Sequence, residues 1–198
     1  MATQIEICNL ALSAIGAGKG IQDINERTNE AAACRTWYDK TRDLVLESFP
    51  WSFATKRKVL ALTAIQPTTT EWLYSYQYPS DCGGARRIVS GYRVDTNETR
   101  VPFRVIGAVI YTNQPEAELE YNLKQVDASL YNAAFCMALS YLLAVNIAPR
   151  VAGGDEHKLG PRSWELYRAF YMTARANTAN EGADGPPPDA EWITARDR

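Results

Sequence analysis

The chain of 198 residues contains a single histidine, His157, and that scarcity narrows its chemistry at once. It leaves no His-rich metal site, and a Ser-His-Asp or Cys-His constellation would have to run through this one residue. The surrounding polar sequence predicts a solvated loop there instead. Cysteine is also sparse: Cys8, Cys34, Cys82 and Cys136 are far apart and form no Cys-x-x-Cys pair. In a reducing compartment they read as free thiols, three of them serving as small apolar residues within helical patterns. No Gly-x-x-x-x-Gly-Lys-Ser/Thr loop occurs. Gly16, Gly18 and Gly20 follow a helical pattern rather than a strand, so they do not form a dinucleotide fingerprint. Nothing in the sequence calls for a cofactor or a metal.

Charge of one sign is missing as well. The 21 basic and 23 acidic side chains give a net charge of -2. Residues 1–49 hold 5 basic and 7 acidic groups, 50–126 hold 9 and 7, and 127–198 hold 7 and 9. A protein that grips nucleic acid needs a basic surplus, so tight DNA binding is not expected. No run approaches the roughly 20 apolar residues of a membrane span. The opening Met1-Ala2-Thr3-Gln4-Ile5-Glu6 lacks the basic and apolar regions of a signal peptide. Cytoplasmic synthesis and no membrane partner are the expectation.

What the chain does have is a change of period. Hydrophobic residues make up 46% of it, enough for a sizeable core. Ile5, Cys8, Leu12 and Ile15 recur at helical spacing until the Gly16–Gly20 cluster stops them. A second helix is predicted from the cap Thr28 to the residue before Pro50, burying Ala31, Cys34, Trp37/Tyr38, Thr41, Leu44/Val45 and Ser48. The middle turns to strands. Trp72, Tyr74, Tyr76 and Tyr78 alternate with period two, and 86–92, 101–105, 109–111 and 116–121 read as short strands between turn clusters. Helical spacing then returns. Asp127 is expected to cap a long helix that is apolar nearly all round and therefore central, closed by Pro149 and Gly153-Gly154. In the last helix Gly160-Pro161 is expected to mark either the start or a kink, with Trp164, Tyr167, Phe170/Tyr171 and Ala174 buried.

These patterns predict an α+β chain: a four-helix bundle from 1–49 and 127–180, a small antiparallel β domain from 50–126 inserted between helices 2 and 3, and an extended tail from 181–198. The tail's Pro186-Pro187-Pro188 spacer cannot join a helix or sheet. Beyond it, Trp192, Ile193 and Arg196 are of the types favoured as interface anchors, which points to docking on a partner or folding back on its own subunit. One set has enzymatic potential: Glu116, Glu118 and Glu120 would share a strand face at a spacing of roughly 7 Å. That suits a glycosidase acid/base pair. The alternatives are a solvated face with Leu119 and Tyr121 turned inward, or an acidic surface that repels DNA. Lys56-Arg57-Lys58 reads first as an exposed basic edge, and second as a phosphate or partner contact.

The order of these parts is familiar. Ala2-Thr3-Gln4-Ile5-Glu6-Ile7-Cys8-Asn9-Leu10-Ala11-Leu12-Ser13-Ala14-Ile15-Gly16 resembles the start of the tail tubular protein A family, the head-to-tail adaptors (connectors) of short-tailed bacteriophages. Tyr38-Asp39-x-x-Arg42-Asp43-x-x-Leu46, Pro50-Trp51-Ser52-Phe53-Ala54 and Tyr76-x-Tyr78-Pro79-x-Asp81-Cys82 extend the likeness. So do Tyr111-Thr112-Asn113, an acidic strand ending in Tyr121, the Ala/Leu-rich helix after Asp127 and the closing Trp192-Ile193-x-Ala195-Arg196. The chain departs from the family pattern at Gly160-Pro161 and in the length of its proline spacer. The resemblance implies a virion structural protein at the head-tail junction, made in the host cytoplasm and assembled as a ring of twelve copies. Its implied partners are the portal protein, other copies of itself and the next tail component, a nozzle like tail tubular protein B. Double-stranded DNA would pass through the lumen without specific binding. The resemblance also implies that the tail engages the portal or a neighbouring subunit, and that the acidic strand could face the lumen. The competing function is a tail-associated peptidoglycan-degrading enzyme using Glu116, Glu118 and Glu120.

Overall fold

Where the hydrophobic period switches from helix to strand and back, the architecture switches with it. The structure, a computed structural model, describes residues 2–64, 67, 71–91, 99–152 and 156–181. Among them are four α-helices and six β-strands, with two three-stranded antiparallel sheets lying between the second and third helices. Helix α1 (Gln4–Ala14) opens on a capping box: Thr3 Oγ1 accepts from the Glu6 amide, and the Glu6 carboxylate accepts from the Thr3 amide. Gly16 (φ +69°) turns the chain after it. Asn9 ties the returning loop to α1, accepting from the Ile21 amide at 2.8 Å and donating to its carbonyl at 2.9 Å.

Helix α2 (Asn29–Ser48) starts at the Thr28 cap and stops at Phe49, whose backbone is extended before Pro50. Its buried line is Ala31, Ala33, Cys34, Tyr38, Thr41, Val45 and Leu46. Trp37, Leu44 and Ser48, expected inside, lie on its exposed side. Helix α3 (Ala133–Val151) is covered by α1, α2 and α4, which is why it can be apolar all round. It is also long and apolar enough to cross a membrane by length and composition. That corrects the expectation that no stretch comes near this, although α3 packs as the core helix here.

Three boundaries differ from the sequence expectation. Asp127 caps a short 3-10 turn, Ala128–Leu130, by accepting from the Ser129 amide, and α3 takes its own cap from Asn132. Pro149 does not close α3, because with only Arg150 and Val151 to follow, its missing N–H costs the helix just one bond near its end. Helix α4 (Glu156–Asn180) neither starts at Gly160-Pro161 nor stops there, and its first turn takes in His157, which is therefore not in a loop. Its buried residues are Ser163, Ala174 and Thr178, while Trp164, expected inside, is 46% exposed.

The strands form two sheets. The first has the order β1 (Thr55–Val59), β6 (Glu118–Leu123), β3 (Cys82–Ile88); the second has β2 (Tyr74–Gln77), β5 (Val109–Thr112), β4 (Phe103–Ile106). Leu119, Tyr121 and Ile88 of the first pack with Tyr76 and Ile110 of the second in a core of their own. The larger core belongs to the helices and takes in Trp51 and Ala54 from the connection into β1. Trp51 is fully buried among Phe49, Phe53, Phe135 and Tyr171, with its ring N–H donating to the Val45 carbonyl at 2.8 Å.

Candidate functional site

The acidic row does not stay together. Glu116 is not on the strand: it occupies the turn before β6 with φ 50°, so the expectation of three carboxylates along one strand face is corrected to two. The alternation fails there because Pro115 and Glu116 belong to the turn that aims the chain into β6. Glu118 and Glu120 do share a face, and Leu119 and Tyr121 point into the β core at 0% exposure. Antiparallel register sets Arg57 of β1 and Arg87 of β3 on either side of Glu120. Arg57 Nε donates to one carboxylate oxygen at 2.7 Å, and Arg87 Nε to the other at 3.0 Å. Burial alone would raise the Glu120 carboxyl, but hydrogen bonds and charge from Arg87 and Arg57 outweigh it and hold it below the usual carboxylate range. A general acid needs the opposite shift. Chemically, this carboxylate is suited to joining β1 and β3 rather than to giving up a proton.

The next residue on that face is Asn122. Its Nδ2 donates to the carbonyls of Leu46 and Phe49, both at 2.7 Å, and so fastens β6 to the end of α2. Arg86 adds a hydrogen bond to the Glu47 carbonyl. The face that runs through Glu118 and Glu120 thus ends in the joint between the β part and the helices. On the other side of the same sheet, Lys56 reaches Asp81 at 2.7 Å, and the Tyr121 hydroxyl donates to Asp81 at 2.9 Å. The Lys56 hydrogen bond is the main cause that holds the Asp81 carboxyl down. Lys56-Arg57-Lys58 therefore lies along the β1 edge of the sheet, where charge discourages strand pairing with another chain.

Other candidates for chemistry are thin. Among the described residues, no three His, Cys, Asp or Glu side chains gather as a metal site. All four cysteines are buried and free. Cys8 meets Cys34 between α1 and α2; the hydrogen bond that the Cys8 thiol donates to Cys34, with burial, pushes Cys8 up, and the same bond draws Cys34 down. Both side chains are fully buried in the helical core.

The exposed apolar surface is richer. Trp37 and Leu44 stand one above the other on α2, with the Lys40 ammonium over the Trp37 ring. Trp164 and Met172 are exposed on α4, eight positions apart. Beside α1, Leu10 borders a groove of about 460 Å³. Val105 and Ile106 are exposed on β4, which is one of the two outer strands of its sheet. Alternation and helical spacing signal apolar positions but not which of them lack a neighbour, so these strips could not be read from the sequence. The pairing of Arg57 and Arg87 with Glu120 was missed for a related reason: only strand register brings them together.

The tail residues Pro186, Pro187, Pro188, Trp192, Ile193 and Arg196 lie outside the described residues. The root of the tail does not: Glu181, after the last turn of α4, accepts a hydrogen bond from the Ser52 hydroxyl. No protein-family model and no curated protein matches this chain.

Proposed function

We propose that this chain is the subunit of a ring-shaped head-to-tail adaptor of a short-tailed bacteriophage, seated between the portal and the distal tail and enclosing part of the DNA path. One observation carries this reading beyond the likeness of motifs: the helical part exposes large apolar side chains on two different helices. Trp37 and Leu44 lie on α2, and Trp164 and Met172 on α4. A ring built from head-to-tail contacts needs two different surfaces on each copy, whereas a two-fold dimer needs one that matches itself. Exposed tryptophan is the side chain most often found at the energetic centre of an interface. The β part has a different character. The Arg57–Glu120–Arg87 and Lys56–Asp81 pairs tie its strands together, and Asn122 fixes it to the bundle. A β part joined in this way suits a mechanical component. The nearly balanced charge is also in keeping with a conduit that must release the duplex it conducts.

Electron microscopy of the full-length chain mixed with portal rings tests the proposal. We expect one face of each portal ring to be capped by a closed ring of this protein, with removal of residues 181–198 weakening the attachment. Bare portal rings beside a stable monomer or dimer would overturn it. Clearing of a peptidoglycan zymogram by the wild-type chain, lost in Glu118→Gln, would replace it with the enzymatic reading.

A further inference from the structure

Two thiols touch inside the helical core. Cys8 of α1 and Cys34 of α2 are both fully buried there, and the Cys8 thiol donates a hydrogen bond to Cys34. The side chains that flank them are small. Ala11 lies one turn along α1 from Cys8, and Ala31 lies one turn before Cys34 on α2, both fully buried in the same core. Residues three apart share a helix face, so these alanines let the two backbones draw close. Cα atoms of α1 and α2 come within 8 Å of each other. The span of a disulfide, about 4.4–6.8 Å between Cα atoms, falls inside that approach. The other two thiols are placed differently. Cys82 lies in the separate β core and donates to the Tyr78 hydroxyl at 3.1 Å, and Cys136 lines the groove beside α1.

The two members of the pair are unequal. The bond from Cys8 draws Cys34 below its ordinary value, against burial and the charge of Glu30. The same bond pushes Cys8 up, helped by burial and by the charges of Cys34 and Asp39. Cys34 therefore reaches the thiolate form first, and the thiolate is the nucleophile. Cys8 stays beside it as a thiol, placed to condense with an oxidised Cys34. Neither sulfur is open to solvent, so an oxidant that reaches them must be small. Hydrogen peroxide, close to water in size, meets that condition, whereas a disulfide such as oxidised glutathione does not.

We propose that Cys8 and Cys34 are a peroxide-responsive thiol pair that closes into a disulfide and ties α1 to α2. The Cys34 thiolate attacks one oxygen of hydrogen peroxide and the O–O bond breaks. The departing hydroxide takes up the proton that Cys34 lost and leaves as water, with Cys34 now a sulfenic acid. The Cys8 sulfur then attacks the Cys34 sulfur, the S–O bond breaks, and the Cys8 proton leaves with the hydroxide as a second water. Two thiols lose two electrons and one peroxide gains them. A thiol reductant reverses the change, so the pair stays open in a reducing compartment and closes under peroxide. The bond closes a loop of 26 positions (34 − 8) that includes the turn at Gly16, and it fixes the first helix to the second. None of this depends on the adaptor reading.

The test treats the reduced, folded, full-length chain with hydrogen peroxide at neutral pH and follows its thiols and mass. Free thiols should fall from four to two, and the intact mass should drop by about 2 Da. Trypsin leaves the four cysteines on four separate peptides, so a link between residues 1–19 and 28–35, removed by dithiothreitol, identifies the pair. Cys8→Ser should lose the link and leave Cys34 as a sulfenic acid that dimedone labels. Cys34→Ser should lose it and leave Cys8 unlabelled. The wild-type peptide map decides the matter even if a serine variant fails to fold. The linked chain should also unfold at a temperature higher by about 5 °C or more, because the unfolded state has lost a loop's freedom. Four thiols that survive while the exposed Met172 is oxidised would overturn the proposal, as would a link through Cys82 or Cys136. A Cys8–Cys34 link that leaves the unfolding temperature unchanged or lowers it would also count against it, showing that the bond forms only in an opened chain.

Discussion

Trp51 offers the clearest measure of how firmly the β part is fixed to the helices. Its side chain is fully buried, its ring centroid lies 5.0 Å from that of Phe135 and 5.1 Å from that of Phe49, and its N–H reaches the Val45 carbonyl at 2.8 Å. Trp51→Ala removes the ring from a place walled by aromatic groups that cannot collapse into the space, so the expected loss is about 3–5 kcal/mol. Trp51→Phe keeps an aromatic ring and removes one donor, while the Val45 carbonyl still accepts from the Ser48 hydroxyl at 2.7 Å, so the expected loss is about 0.5–1.5 kcal/mol. Against a total of about 5–15 kcal/mol for a domain, the alanine variant would be folded but marginal. Urea unfolding followed by far-ultraviolet circular dichroism gives both numbers without relying on the fluorescence of the residue being changed. The expected order is wild type, then phenylalanine, then alanine. An alanine variant within about 1 kcal/mol of wild type would show that the aromatic cluster does not close around Trp51 as described.

Glu120→Gln should cost about 1–3 kcal/mol at neutral pH, because it leaves Arg57 and Arg87 facing each other without their shared anion. The Glu120 carboxyl titrates below its ordinary value, so its stabilisation is fully present above the unfolded-state pKa of about 4.3 and is lost as the pH falls through the depressed folded value. Wild type and variant should therefore converge in acid, and urea midpoints that stay equally far apart from pH 7 down to pH 3 would contradict this. Asn122→Ala should cost about 1–3 kcal/mol by leaving the Leu46 carbonyl without this donor, the Phe49 carbonyl still accepting from the Trp51 amide at 2.9 Å, and amide exchange should quicken first at the end of α2 and in β6. Trp37→Ala combined with Leu44→Ala should change the unfolding free energy by no more than about 1 kcal/mol, since both are exposed, while reducing assembly on portal in sedimentation velocity. Unchanged assembly would take the α2 strip out of the subunit contact.

Much of the fold was legible because the helices announce their ends locally. Thr28 and Pro50 bracket α2 through interactions between residues a few positions apart, whereas the equally local capping box of Thr3 and Glu6 that opens α1 was not read. Asp127 misled for the same reason. It is a genuine cap, but of a 3-10 turn, and the sequence does not say that Asn132 restarts the chain as α3. Trp164 was placed inside because hydrophobic spacing gives weight to large side chains. The line that α4 buries consists of Ser163, Ala174 and Thr178, small residues that permit close approach to α3. The acidic strand was legible as alternation, and Leu119 and Tyr121 do turn inward. Its partners were not legible, because β1, β6 and β3 come from residues 55–59, 118–123 and 82–88 and only tertiary register brings them together. Docking by Trp192, Ile193 and Arg196 was read from composition alone, and those residues lie outside the described part of the chain.

The most direct test of the adaptor reading is the mass of the complex formed by this full-length chain and an isolated portal ring, measured by native mass spectrometry. The account predicts a single assembled species in which the portal has gained twelve copies, with no stable partial rings at saturation. A portal mass that stays unchanged at saturating protein would contradict it.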